Sequence, residues 1–185
     1  MRSWKWLLLS GLGILLIAAL TLPADAAGHK YVGAEKCKMC HNSPGKGAQF
    51  TKWSESKHAK AFAALATEEA KKAAQAKGIA DPQKAPECLK CHVTGHGSPA
   101  EMLGEKYKME DGVTCEACHG AGADYMAMAV MKDKAKATEA GLVEPTEATC
   151  KTCHNPESLT CKEEFNFATA SAAIAHPNPQ KAAGK

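Results

Sequence analysis

The stretch DGVTCEACHGAGADY (111–125) places two cysteines three positions apart, with a histidine directly after the second. The same C-x-x-C-H pattern occurs three more times in the chain. We number the four segments motif 1 (CKMCH, 37–41), motif 2 (CLKCH, 88–92), motif 3 (CEACH, 115–119) and motif 4 (CKTCH, 150–154). Eight of the nine cysteines and four of the eight histidines therefore belong to one repeated pattern.

C-x-x-C-H is the attachment signature of c-type haem. Two thiols add to the two vinyl groups on one porphyrin edge, and a two-residue spacer on a helical turn brings both sulfurs to that edge. The next residue, histidine, then lies beneath the ring and binds the iron as its proximal ligand. The sequence thus predicts four covalent haem c groups. The predicted attachment residues are Cys37, Cys40, Cys88, Cys91, Cys115, Cys118, Cys150 and Cys153, and the predicted proximal ligands are His41, His92, His119 and His154.

Two other uses of paired cysteines fit less well. Four C-x-x-C pairs suffice for two zinc sites, but structural zinc does not require a histidine after each second cysteine. A dithiol oxidoreductase has one active pair on a βαβ scaffold, and no strand pattern is found in this chain. The ninth cysteine, Cys161, has no such neighbours. We interpret it as a small half-buried thiol, with an intermolecular bridge or a reactive thiol as alternatives.

The first 26 residues have the features of a secretory signal peptide. Arg2 and Lys5 precede an apolar run from Leu7 to Leu22, and the small residues ADA (24–26) follow Pro23. The run is shorter than the ~20 residues of a spanning helix. We therefore predict a signal peptide over 1–26, a single domain over 27–185, a periplasmic or extracellular location and no stable membrane insertion. The mature part has 21 basic and 19 acidic residues, which disfavours nucleic-acid binding.

The apolar composition predicts an unusual interior. Alanine is abundant and aromatic residues make up only 5% of the chain, so side chains alone fill a core poorly. Four flat porphyrins can occupy that interior, with alanine-rich helices close against them. The fold class predicted is mostly α, a compact multihaem cytochrome with short helices and loops around four covalent haems. Helical periodicity predicts helices over 47–66, 67–78, 123–141 and 162–175, with a loop over 93–112.

Four histidines lie outside the motifs, as many as there are sixth iron positions. His58 lies on the helix predicted over 47–66, and His176 stands at a predicted helix end before Pro177. His29 lies near the start of the mature chain, where an iron bond would order the terminus. His96 lies too close to motif 2 to reach the far face of that haem, so it is a possible ligand of a neighbouring haem only. The methionines of 123–141 compete with these histidines for the sixth positions, but we interpret them as residues that pack against the porphyrins: Met126, Met128 and Met131.

These segments together resemble the tetrahaem cytochrome c-554 family, a group of secreted electron carriers. The resemblance rests on KCKMCH, KWSESKHAKAF, CLKCHVTGHG and GVTCEACHGAG, followed by a fourth C-x-x-C-H, and covers roughly residues 31–177. It implies a mostly helical fold with close-packed haems. Three of these haems have two histidine ligands and one, by position that of motif 2, is five-coordinate. His58 corresponds to the family's distal histidine after the tryptophan, and His176 to a late distal histidine.

One departure from the family changes the expected ligand set. The family has a distal histidine shortly after motif 3, where this chain has Tyr125 and Ala129. We therefore predict that His29 binds iron instead, in this chain's own haem or in that of a neighbouring molecule.

The function predicted from the sequence is electron relay between redox partners through closely packed, mainly bis-histidine haems of low potential. Expected partners are redox proteins, with quinol-oxidising or nitrogen-oxide enzymes as candidates. One alternative is reduction of NO or another nitrogen oxide at a five-coordinate haem, which would make the chain an enzyme rather than a carrier. Another is a haem filament, in which self-association lets His29 ligate a neighbour's haem.

Overall fold

The computed structural model describes residues 28–158 and 164–182. The signal peptide predicted over 1–26 and Cys161 both lie outside these residues. The described part contains short α-helices joined by turns and loops. They are α1 (Ala34–His41), α2 (Gln49–Glu55), α3 (Ala61–Ala64), α4 (Glu68–Gln75), α5 (Pro86–His92), α6 (Cys115–His119), α7 (Met128–Met131), α8 (Lys134–Glu139), α9 (Glu147–Lys151), α10 (Phe167–Ile174) and α11 (Pro179–Ala182).

The mostly helical fold predicted from the sequence is confirmed. In the described residues the only β-type pairing is an isolated parallel bridge between Tyr31 and Leu103, with no strand on either side. The predicted loop over 93–112 contains two 3-10 turns, Ala100–Met102 and Met109–Asp111. No helix in the described ranges has the length and apolarity needed to span a bilayer.

The prediction of one continuous helix over 47–66 is wrong. The segment forms two helices, α2 and α3, with a turn between them. Ser56 leaves helical geometry with ψ 164°, and its hydroxyl accepts a hydrogen bond from the Ala59 N–H at 3.4 Å. The His58 carbonyl accepts the N–H of Val113 at 3.0 Å. These bonds replace those of a continuous helix. His58 therefore lies in a turn that is held by a hydrogen bond to a distant segment of the chain. The periodicity had placed His58 on a helix, and that prediction is wrong.

The helix predicted over 123–141 is also divided, into α7 and α8. The Asp133 carboxylate accepts hydrogen bonds from the N–H groups of Ala135 and Lys136 at 3.1 and 3.2 Å, and so begins a new helix. The segment predicted over 67–78 does form a helix, α4, and Thr67 caps it as expected. Within 162–175 the described helix is α10, which ends one residue before the Ala175–His176 step.

Few side chains fill the interior of the described part. Leu65, Leu89 and Val93 form a small buried cluster with Cys88. The other buried apolar positions are Ala34, Ala74, Ala137 and Tyr125. No large side chain in the described residues is completely buried. The remaining interior space consists of cavities bounded by the C-x-x-C-H motifs.

Candidate haem sites

Each motif is positioned by a short helix. Motifs 1, 2 and 3 occupy the C-terminal ends of α1, α5 and α6, and motif 4 begins in α9 and continues into the turn after it. Residues three apart on a helix lie on one face, so both cysteines of a motif are directed to the same side. The α9 helix is started by reciprocal bonds between Thr146 and Thr149. The local geometry that thioether attachment requires is therefore present at motifs 1, 2 and 3. At motif 4, Cys153 lies in the turn after α9, where the His154 N–H donates to the Cys150 carbonyl at 2.9 Å.

Motifs 1 and 3 share a cavity of about 790 Å³. The volume lies in the upper part of the range of about 300–1,000 Å³ common for cofactor and ligand sites. Its walls include Cys37 and His41 of motif 1, and Cys115, Cys118 and His119 of motif 3. The neighbouring Cys115 thiol and burial together raise the pKa of the Cys37 thiol. The attachment points of two predicted haems are thus neighbours on one cavity.

Two histidine pairs lie at almost the same separation. The ring centres of His119 and His176 are 6.1 Å apart with an interplanar angle of 81°. Those of His58 and His154 are 6.0 Å apart with an angle of 80°. Each pair joins one motif histidine to one histidine outside the motifs. The sequence predicted His58 and His176 as distal residues without assigning their partners, and the structure brings each beside a particular motif histidine.

This separation suits a shared iron. Two imidazoles that each bind one metal ion at about 2.0–2.1 Å through a ring nitrogen have centres about 6.3 Å apart. A plain edge-to-face aromatic contact also falls in this range. The recurrence of one spacing and one angle in two unrelated pairs, each containing a proximal histidine, favours the metal geometry.

Hydrogen bonds from Nδ1 to backbone carbonyls orient three of the candidate ligands. Nδ1 of His92 donates to the Ala61 carbonyl at 2.6 Å, and Nδ1 of His119 donates to the Val143 carbonyl at 3.1 Å. Nδ1 of His176 donates to the Ile174 carbonyl at 2.8 Å. Since a carbonyl only accepts, the proton is on Nδ1 and the lone pair is on Nε2. This is the usual arrangement of a metal-binding histidine.

Burial favours the neutral, metal-binding form of two candidate ligands, His58 and His119. Desolvation lowers the pKa of His58, with a smaller effect from His154. Desolvation also lowers the pKa of His119, with smaller effects from His176 and His41. The His154 ring in addition stacks on Phe165, with centres 5.0 Å apart.

Motifs 3 and 4 are also neighbours. Burial raises the pKa of Cys118, and the nearby Cys150 and Cys153 raise it further. A second cavity, of about 460 Å³, is bounded by Cys88, Cys91 and His92 of motif 2 together with Cys153 of motif 4. The structure therefore gives a spatial order of the motifs, 1–3–4–2, that differs from their order along the chain.

Part of the lining of the second cavity is aliphatic. It includes Leu65 and the alanine face of α4, namely Ala70, Ala73 and Ala74. His92 is the one imidazole among the described residues that bound this cavity.

Glu116, between the two cysteines of motif 3, was not identified from the sequence. Its carboxylate is 3% exposed and accepts three backbone N–H groups: Val32 at 2.8 Å, Gly33 at 2.8 Å and Gly122 at 2.7 Å. The side chain thereby joins the segment before motif 1 to both ends of motif 3. The only sequence signal was a charged residue between the two cysteines of a haem motif, and charge alone did not indicate three amide partners.

The remaining candidates lie elsewhere. Nδ1 of His29 is 2.6 Å from the Asp124 carboxylate. His29 and His96 are absent from the described lining of both cavities. The Tyr125 hydroxyl donates to the Gly120 carbonyl at 2.7 Å, and burial raises its pKa. Iron binding by His29 stays a prediction.

In the described residues, no three His, Cys, Asp or Glu side chains converge as the ligands of a zinc ion would.

Comparisons with known proteins agree with the motif pattern. Residues 36–120 match the model of the family described as cytochrome c554 and c-prime. Cytochrome c-554 of Nitrosomonas europaea (strain ATCC 19718) is 36% identical over 121 residues, which are 61% of this chain and about half (49%) of that protein. The fold is similar to that of reduced cytochrome c554 from Nitrosomonas europaea, with a TM-score of 0.59, 25% identity, and coverage of 82% of this chain and 86% of that one.

Proposed function

From its confirmed resemblance to the tetrahaem cytochrome c-554 family, we propose that this chain is an exported electron carrier with four covalent haem c groups. The observation that carries the proposal is the pair of histidine contacts at 6.0 and 6.1 Å, each of which joins a C-x-x-C-H histidine to a second imidazole. Iron held between two imidazoles has no open position for substrate. Such a site exchanges electrons without forming new bonds, which is the behaviour of a carrier.

The residues fit the group that the motifs imply. The cysteines of motifs 1 and 3 bound the larger cavity, and those of motif 2 bound the smaller one with Cys153. When bound, haem iron supplies reversible one-electron chemistry. The protein supplies the thioether attachment points and axial imidazoles, which the Ala61 and Val143 carbonyls orient at motifs 2 and 3. Bis-histidine ligation favours a low potential relative to His/Met ligation.

The proposed relay follows the spatial order of the motifs. The nearness of Cys37 to Cys115 supports transfer between the haems of motifs 1 and 3. The nearness of Cys118 to Cys150 and Cys153 supports transfer between those of motifs 3 and 4. The cavity shared by Cys153 with motif 2 completes the path. An electron that enters at motif 2 therefore passes motifs 4 and 3 before it reaches motif 1. Redox proteins of the periplasm are the proposed donors and acceptors.

The count of covalent haems tests this proposal directly. We expect the intact mass of the secreted protein, measured after acid denaturation, to exceed that of the apoprotein by four haem groups, because all four motifs have the C-x-x-C-H attachment pattern. Single replacement of the first cysteine of one motif, Cys88→Ala, should leave that haem attached by one bond or lose it. A colourless protein that contains zinc would overturn the proposal.

A second candidate function is binding or reduction of a small nitrogen oxide at the haem of motif 2. The aliphatic part of the lining, formed by Leu65 and the alanines of α4, supports it, because these side chains supply no axial ligand. We expect the oxidised protein to show one high-spin haem by electron paramagnetic resonance, and NO to bind that haem.

A substitution that fills part of the second cavity tests whether NO binds there. Ala73→Leu should slow NO association several-fold, since Ala73 lines the cavity. Ala76→Leu adds the same volume just beyond α4 at an exposed position and should have no effect. Equal association rates for the two variants would place NO binding elsewhere.

A further inference from the structure

The larger cavity contains one potential iron ligand that the proposed function does not use. Met131, at the end of α7, bounds this cavity together with His41 and Cys37 of motif 1. Its neighbours Met126 and Met128 are 37% and 63% exposed and are not part of the lining. Among the described residues around the cavity, Met131 is the only methionine. The three methionines that the sequence presented as equivalent packing residues are thus separated by the fold.

Three of the four histidines outside the motifs already have specific partners. His58 faces His154, and His176 faces His119. His29 is bonded to Asp124, and its ring lies against the backbone of Gly141. His96 bounds neither cavity in the described part of the chain.

Tyr125 is the other residue of this region with a donor atom. Tyr125 lies on the lining, but its hydroxyl donates to the Gly120 carbonyl at 2.7 Å, and the residue is 6% exposed. Binding to iron would break that bond and leave the part-buried Gly120 carbonyl without its donor. Tyr125 therefore serves better as a packing residue. The thioether of Met131 has no comparable bond to break.

We propose that Met131 is the sixth iron ligand of the haem attached at Cys37 and Cys40, on the face opposite His41. The proposal rests on the four-haem carrier proposed above. A thioether is a normal partner of histidine in c-type cytochromes and raises the reduction potential relative to a second histidine. The haem of motif 1 then has the highest potential of the relay. Electrons that follow the path 2–4–3–1 therefore collect on the haem of motif 1. This haem is the one that passes them to the acceptor.

The experiment uses the secreted holoprotein and four variants, two at Met131 and one each at Met128 and His29. Magnetic circular dichroism of the oxidised wild type should show the sulfur-to-iron charge-transfer band of His/Met ligation at an intensity equal to one haem. Met131→Leu keeps the volume of the side chain but removes sulfur, and should abolish the band. Met131→His should also abolish it, keep the iron low-spin and lower the highest of the four potentials. Met128→Leu, on the same helix but exposed, should leave the spectrum and potentials unchanged.

The outcomes separate this proposal from the carrier function itself. Intact mass is recorded for each variant, and four haems should remain attached in all of them. Fewer than four haems in the wild type contradicts the carrier proposal. Four haems without a sulfur band in the wild type overturn the Met131 proposal alone, even where a variant fails to fold. A band that survives Met131→Leu overturns it as well. Loss of one low-spin haem in His29→Ala but not in Met131→Leu assigns the position to His29.

Discussion

Glu116→Ala is expected to lower the free energy of unfolding by about 3–9 kcal/mol, because it leaves two buried N–H groups and one part-buried N–H group without an acceptor at about 1–3 kcal/mol each. The groups are those of Val32, Gly33 and Gly122, all within 2.8 Å of the carboxylate. Total stabilities of small domains are about 5–15 kcal/mol, so the loss is a large share. Denaturant titration of the haem-loaded protein, followed by circular dichroism, measures it.

Two variants show whether the amide contacts are the cause. Glu116→Gln retains the shape and one carbonyl oxygen but turns an NH₂ group toward one donor. It should therefore cost about 1–3 kcal/mol, the value for one unsatisfied group. Glu105→Ala removes an exposed carboxylate and should stay within about 0.5 kcal/mol of the wild type. If Glu116→Ala unfolds no more easily than Glu105→Ala, the carboxylate does not hold motifs 1 and 3 together.

The position of Glu116 explains why the effect should extend to the haem sites. It lies between Cys115 and Cys118, while Val32 and Gly33 immediately precede the helix of motif 1. Gly33 adopts φ 87°, and a side chain there would overlap the Lys106 carbonyl. The chain can therefore approach the carboxylate only with glycine at this position. Loosening this contact should broaden the ligand-field spectra of the haems at motifs 1 and 3 before those at motifs 2 and 4.

The attachment chemistry could be predicted from sequence because it is local. A thioether pair and its proximal histidine lie within five consecutive residues, so the spacing of Cys37, Cys40 and His41 already contains the geometry. The mostly helical fold could be predicted for a related reason, since short alanine-rich segments with caps such as Thr67 form helices from local bonds.

The ligand pairing could not be predicted, because it depends on contacts between distant segments. His176 and His119 are brought together by the turn after α10 and the end of α6, and no periodicity relates the two. The break between α2 and α3 has the same origin. Its stabilising bond runs from Val113 to the His58 carbonyl, and without that partner the local pattern favours a continuous helix. Similarly, the sequence gives no reason to separate Met131 from Met128, since only the surrounding cavity distinguishes them.

His58→Ala and His176→Ala are each expected to convert one low-spin haem to high-spin, with all four haems still attached. The expectation follows from the ring separations of 6.0 Å to His154 and 6.1 Å to His119, which fit two different irons. Loss of an axial imidazole weakens the ligand field at that iron, while the thioether bonds are untouched. Electron paramagnetic resonance of the oxidised protein counts the high-spin haems, and His96→Ala, outside both cavity linings, is the matched control.

The double variant His58→Ala/His176→Ala distinguishes two irons from one. If the histidines serve separate haems, the two spin changes should add, and the double variant should gain two high-spin haems. If both approach the same iron from alternative conformations, the double variant should gain only one. Added imidazole should restore the low-spin state by entering the space that each side chain leaves, since both residues bound the larger cavity. An unchanged spectrum in His58→Ala would show that the His58–His154 pair is only a ring contact, and would contradict the proposed relay at motif 4. An unchanged spectrum in His176→Ala would do the same for the His176–His119 pair at motif 3.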